Sequence, residues 1–407
     1  MDLLKEGIDN KCVLATTLTK KLSIDNHTQT YTIYKIRLDQ LYYNDQNDRI
    51  ATWISQYKAE NGIDRLDMDN KEQYNRTIQS FITDSNPEAL KKTQNNIELI
   101  GQQEPGVVLA DGRIIDGNRR FACLRNLEQK TEQTHYFDAV ILEHDIAHNV
   151  KEIKKMELWL QHGVDKAVDY NPIDRLVGIY NDIVENKLLT VREYYISINK
   201  TQSEADIQRE VEKAKLMVEF LEFINAPKQF YLARTMNLSE SLKDLYSMLN
   251  KVKDDDIRED LKNNVFAQLI MAPVGDTNRY IRKIGKIASN TRLLDDYLSE
   301  QSQLVEKVCD IVEHYPVTTE RVINEQIRAQ KELQDNFSHS TEKWVSKADG
   351  DTSRNRPAHL AEKAYEMLDT IDTNIFKKMS DIQKDDIRKK LDLIQQIIDS
   401  IRDELDV

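Results

Sequence analysis

Apolar positions alternate with polar ones over short stretches in the first third of the chain, then fall into a helical period. In TYTIYKIRLDQLYYNDQNDRIATWISQY (residues 30–57), Ile33, Ile36 and Leu38 lie in a β-branched and aromatic run that predicts a strand, a polar turn and a helix from about Asp48. Two helices are predicted between residues 70 and 100, NKEQYNRTIQSFI and PEALKKTQNNIELI. The second has Pro87 at its start and an apolar stripe of Leu90, Ile97 and Ile100. In PGVVLADGRIIDGNRRFACLRNLEQK two apolar runs flank Asp111-Gly112, a hairpin signal. The second run passes through Gly117 straight into a helix carrying Phe121, Ala122, Leu124 and Leu127, and HYFDAVILE closes this α/β block near residue 143.

Beyond residue 150 only helical periodicity is read, most clearly in VREYYISI, DIQREVEKAKLMVEFLEFI and ESLKDLYSMLNKV. The stretch Ser346 to Ala358, SKADGDTSRNRPA, gathers Gly, Pro, Ser, Asp and Arg and reads as a linker. After it, Ile387, Leu391, Ile394, Ile398, Ile401 and Leu405 recur at heptad spacing. Such a seam either joins two copies into a homodimer through residues 387–405 or packs on helices of its own chain. The fold class is therefore α+β and mostly helical. The expected organisation is an α/β domain over 1–149, helical domains over 150–225 and 226–345, and a helical or coiled-coil segment over 359–407.

Composition narrows this picture. With 11 Gly and 7 Pro in 407 residues, breakers are scarce and an all-β fold is excluded. The 57 Lys and Arg against 70 Asp and Glu give a net charge of -13, so any contact with nucleic acid must come from a local basic patch. Three scattered cysteines, Cys12, Cys123 and Cys309, fit a reducing cytoplasm and offer no zinc spacing. The start MDLLKEGIDNK is no signal sequence, and no run approaches 18 apolar residues, so a cytoplasmic protein without membrane contact is expected.

The chemistry concentrates in IIDGNRRF. A strand, a glycine and a helix start with two arginines present free N–H groups and a positive dipole end to an anion. Gly117 admits a ligand close to the backbone, Asn118 caps the helix or reaches a neighbouring oxygen, and Arg119 or Arg120 forms a bidentate pair with phosphate. Consecutive helical residues diverge by about 100°, so one arginine is expected to tie to a carboxylate such as Asp116 or Glu104. The same string also describes a capped helix with surface arginines. Elsewhere, NRYIRKIGKIASNTR sets Arg279, Arg282, Lys283, Lys286 and Arg292 at helical spacing with no acid among them, a candidate DNA-binding face or a solvated one. His144 and His148, beside Glu143 and Asp145, lack a third ligand at fixed spacing. No Walker loop, G-x-S-x-G elbow or zinc knuckle is present.

Taken together, GNRRFACL, the preceding GQQEPGVVLADGRIID, the early NDQNDRI and the later NPIDRLVGIYNDI resemble the ParB/sulfiredoxin fold, and within it the ParB-like proteins, from about residue 33 to 225. The resemblance implies a nucleotide pocket for CTP or ATP with Mg2+. Gly117, Asn118, Arg119 and Arg120 would hold the phosphates, and Asn47 and Arg49 would close the site. Asn118 departs from the usual Glu of the box. LQHGVDKAVDY stands where an E-N-x-Q-R-type motif is expected, with Gln161 and His162 nearest to the missing acid and arginine. The residues after LLTVREYYISI sit where a helix-turn-helix would lie, but that helix is nearly neutral. The expectation is a nucleotide-gated switch working on or with DNA, in phage defence, DNA modification or plasmid or phage regulation. The rivals are a metal-dependent nuclease using Asp116 and Glu104, with Asp48 and Asp111 as further candidate groups, and a scaffold for a protein partner. A sulfiredoxin role fits poorly, because Cys123 falls inside the helix as a small apolar residue.

Overall fold

A computed structural model describes residues 2–24, 27–142, 150–162 and 171–405. Five strands form one mixed sheet in the order β1-β2-β5-β3-β4: β1 (Val13–Ile24), β2 (His27–Arg37), β3 (Gly106–Leu109), β4 (Ile114–Asp116) and β5 (Tyr136–Leu142). The β3–β5 pair is parallel, Val107 opposite Val140, and the others are antiparallel. The hairpin at Asp111-Gly112 joins β3 to β4 as expected. Strand β1 escapes the sequence reading because it is an edge strand in which Val13 and Leu22 are the buried positions among those whose burial is described, so its Thr and Lys residues break the alternation.

Between the strands lie α1 (Ala51–Asn61), α2 (Lys71–Ser85), α3 (Pro87–Ile100) and α4 (Asn118–Thr131). Alternation decides which side chains they cover. Val108, Ile114, Phe137 and Ile141 face a core completed by Ile78, Leu90 and Phe121. Val107, Leu109, Val140 and Leu142 point the other way, onto Ile153, Met156 and Leu160 of α5 (Val150–His162). Both sheet faces are thus covered, which explains why Val107–Leu109 is apolar without a break.

The helical region follows with α6 (Pro172–Ile179), α7 (Val191–Ser197), α8 (Glu204–Phe223), α9 (Phe230–Thr235), α10 (Ser239–Leu249), α11 (Asp255–Met271), α12 (Thr277–Ala288) and α13 (Thr291–His314). Asn171 caps α6, with Pro172 in its first turn, and the helix runs on into a π-helical turn, Tyr180–Glu185. At the centre of this region Gln268, Tyr280, Tyr297, Gln301 and Thr341 satisfy one another's hydrogen-bonding groups while fully buried, a network that fixes one register of α11 against α12 and α13.

The chain divides into two compact units, Met1–Val345 and Ser346–Val407. The residues read as a linker, 346–358, are helical: α14 runs from Lys331 to Asp369 with Pro357 inside it. A helix already nucleated and packed through Phe337 and Trp344 extends without a second nucleation cost, and it continues although Pro357 removes one backbone hydrogen bond and crowds the carbonyl of the preceding turn. In the second unit, α15 (Asp381–Leu405) carries the heptad seam, and none of its residues is buried. Among the described residues no helix is long and apolar enough to cross a membrane. His144, His148, Glu143 and Asp145 lie outside the described residues, as do 163–170 of the LQHGVDKAVDY segment.

Candidate anion-binding site

The box forms where β4 ends and α4 begins. Gly117 turns the chain at φ +102°, a left-handed conformation, and a Cβ there would stand 2.7 Å from the Phe137 ring. Only glycine fits this corner between β4 and β5. Having no side chain, it cannot cap α4, and the first-turn amides of the helix lack an intrahelical acceptor.

The two arginines separate. The Arg120 guanidinium turns back, pairing with the Asp116 carboxylate at 2.8 Å and donating to the Glu104 backbone carbonyl. The expectation that one arginine ties to Asp116 or Glu104 thus meets both residues, although Glu104 contributes its carbonyl and its side chain is exposed. Lys20, from β1, completes this corner by donating to the Pro105 carbonyl at 2.7 Å. Burial lowers its pKa, opposed by the Asp116 charge. No feature of KKLSI singles Lys20 out.

Arg119 is different. It is half-buried, and its Nε makes no hydrogen bond. Burial and the neighbouring Arg49 charge push its pKa below the ordinary arginine value. Beside it, the buried Oδ1 of Asn118 also has no donor. Asn47 caps the turn that presents Arg49, its side chain accepting from the Arg49 N–H at 3.1 Å. The structure therefore gathers Gly117, Asn118, Arg119 and Arg49 around one corner, with Arg120 and Asp116 as its brace. Asp111 instead accepts from the Arg113 N–H and caps its own hairpin.

Next to Arg49, Asp48 enters a second cluster. Lys154 of α5 places its ammonium 2.7 Å from Asp48, 3.4 Å from Asp182 and 3.6 Å from Glu157. Against the effect of its own burial, these three carboxylates carry Lys154 well above the ordinary lysine value. Burial pushes Glu157 and Asp182 upward, with Lys154 opposing. Asp48 presses so closely on α6 that a Cβ at Gly178 would stand 2.5 Å from its carboxyl carbon. Gln161 donates to Glu157 at 3.2 Å, and its own Oε1 is buried without a partner. A cleft of about 930 Å³ opens beside the cluster, lined by Asp48, Lys154, Asp182, Lys58, Asn181 and Lys228 among others. A further link joins sheet domain and helices: Asp174 of α6 accepts from the Thr52 N–H at 3.1 Å and so caps α1, and Arg234 stacks over Trp53 at 4.0 Å.

Among the described residues no group of three or more His, Cys, Asp or Glu is arranged to hold a metal ion. Arg279, Arg282, Lys283 and Lys286 lie on α12, and Arg292 at the start of α13, apart from the box. Cys123 is fully buried, and burial lifts its thiol to about 11, as suits an apolar packing residue.

What fold and site define is an α+β domain, its sheet covered on both faces and carrying a strand-Gly-helix cation corner, joined to a helical region. No family model matches the chain, and no curated protein matches it. The chain is similar to a solved Pnob8-like ParB-N domain at 14% identity and a TM-score of 0.36, covering 69% of this chain and 98% of that one. A likeness of that size says nothing about ligand or partner.

Proposed function

We propose that the start of α4, with Arg119 and Arg49, binds the phosphates of a nucleotide, a nucleoside triphosphate such as CTP or ATP being the class that the ParB-like resemblance implies. The observation that carries this reading is the half-buried Arg119, whose Nε has no acceptor while a second guanidinium charge stands nearby. A phosphate supplies the missing acceptor and offsets the repulsion between the two arginines. Asn118 Oδ1 requires a donor, which a nucleotide offers through a ribose hydroxyl or a base amino group and bare phosphate at neutral pH offers poorly.

Mg2+ would accompany the phosphates and spread their charge. Arg120, engaged by Asp116 and the Glu104 carbonyl, is a positioning residue that fixes the corner. Ligand held by Arg49 also bears on Asp48 of the same turn, and through Lys154 on α5 and the helices, which is how a bound nucleotide would bias the arrangement of the two halves. The nuclease reading has less support, because the Asp116 carboxylate is taken by Arg120 and the Glu104 side chain is exposed.

Calorimetric titration of the full chain with CTP, ATP, GTP and UTP in Mg2+ tests the proposal. Binding of at least one triphosphate, weakened tenfold or more by Arg119→Ala, is expected. No binding of any of them up to millimolar concentration would overturn it.

A further inference from the structure

Outside the α4 corner, the buried and half-buried arginines are engaged, with one exception. Arg113, Arg125 and Arg175 pair with Asp111, Glu72 and Glu210. Arg234 stacks over Trp53 and donates to Thr52 and Gln56. The exception is Arg328, which is half-buried and follows a π-helical turn, Ile323–Ile327. Its Nε donates to the Ile270 carbonyl at 3.1 Å, which holds the guanidinium in place. Among the described residues it pairs with no carboxylate and stacks on no ring, and its two Nη groups have no acceptor. Burial lowers its pKa, with the Glu320 charge opposing.

Arg328 lines a cavity of about 350 Å³ formed with α10, α11 and the start of α12. One carboxylate shares the lining, that of Asp276, and the two opposite charges form no ion pair with each other. Asp276 uses its Oδ1 to cap α12, accepting from the Arg279 N–H at 2.9 Å, and its Oδ2 has no donor among the described residues. Asn278, also in the lining, has its Oδ1 held by the buried Ser241 hydroxyl at 2.6 Å, and its Nδ2 donates to nothing among the described residues. From these observations, independently of the box, we infer that this cavity binds a small zwitterion of the α-amino-acid class, its carboxylate on Arg328 and Asn278 and its ammonium on Asp276. A guanidinium fork meets a carboxylate through two parallel hydrogen bonds. A ligand carrying both charges satisfies Arg328 and Asp276 together, where a single ion would leave one of them uncompensated. Phosphate fits less well, because Asp276 in the lining and the Glu320 charge felt by Arg328 repel a multiply charged anion. Leu238 and Leu269 supply apolar surface for ligand carbon, and about 350 Å³ lies at the low end of ligand pockets, which suits a molecule of amino-acid size.

The test is thermal melting of the full chain at neutral pH with each coded amino acid up to about 10 mM, since a ligand bound only to the folded state raises the melting temperature. Calorimetry of the amino acid with the largest shift follows. At least one amino acid should bind, and its decarboxylated amine and its deaminated acid should each bind at least tenfold more weakly. Asp276→Asn keeps the α12 cap while removing the charge, so it should melt as wild type does when free and weaken binding tenfold or more. Arg328→Gln should weaken binding at least as much. Arg279→Gln, on the same helix and outside the lining, should leave binding unchanged. Binding of no amino acid, undiminished binding in Asp276→Asn or in Arg328→Gln, equal binding of the deaminated acid, or tighter binding of inorganic phosphate than of any amino acid would each overturn the inference.

Discussion

Replacing Lys154 with Met removes the one ammonium that, among the described residues, pairs with a buried group of three carboxylates. Lys154 is 4% exposed, Glu157 1% and Asp182 5%, so water cannot take over the neutralisation. Removing one partner of a buried ion pair costs about 3–5 kcal/mol, because the remaining charge is left uncompensated. In a unit running from Met1 to Val345 that corresponds to a fall in melting temperature of roughly 4–7 °C. The loss should depend on pH in a fixed sense. Burial raises Glu157 from 4.5 to about 7 and Asp182 from 3.8 to about 8, so the folded state binds protons that the unfolded state releases. Stability from this uptake is present below about pH 4 and is lost as pH rises through 7 and 8. Without Lys154 opposing them, both groups hold their protons to higher pH, and the decline steepens. Urea unfolding of wild type and Lys154→Met at pH 5.5 and 8.5 measures this directly. The expected outcome is a large loss at pH 8.5 and a much smaller one at pH 5.5. Equal losses at both values, or a loss below about 1 kcal/mol at pH 8.5, would refute the reasoning.

Other consequences follow from single residues. Asp174 is raised by burial from 3.8 to about 6, so its contribution to stability is lost as pH rises across that interval. Asp174→Asn still accepts from Thr52 and should unfold later than wild type at pH 7.5, by up to about 3 kcal/mol, with no gain at pH 4. Gly117→Ala forces a Cβ against Phe137 at a left-handed φ and should cost about 1–3 kcal/mol in chemical denaturation, with loss of nucleotide binding. Arg120→Ala frees Asp116 and should weaken nucleotide binding less than Arg119→Ala does in the same titration.

The box was legible in the sequence because it is local: strand, glycine and first helical turn are consecutive, and the Asp111-Gly112 hairpin fixes the register before it. Its brace was half legible. Asp116 lies four residues from Arg120, but nothing in the chain indicates that Glu104 would offer its carbonyl or that Lys20 would cross from β1. The Lys154 cluster was hidden for another reason. Residues 48, 154, 157 and 182 come from three elements, and each is one more charge among 57 basic and 70 acidic residues. Only the fold, with its π-helical turn at Tyr180–Glu185, brings Asp182 to the others. Ser346–Ala358 misled through composition, since Gly and Pro weaken a helix without ending one already anchored by Phe337 and Trp344.

The central claim, that Arg119 is held half-buried for an anion, predicts a trade of stability against binding. Thermal melting of wild type and Arg119→Met, each alone and with saturating triphosphate and Mg2+, measures both sides at once. A ligand bound only to the folded state raises the melting temperature by mass action. The variant should melt at or above wild type when free, since it loses a desolvated cation repelled by Arg49, and should show no ligand-induced rise. A variant that melts lower than wild type when free and still rises with nucleotide would contradict the claim.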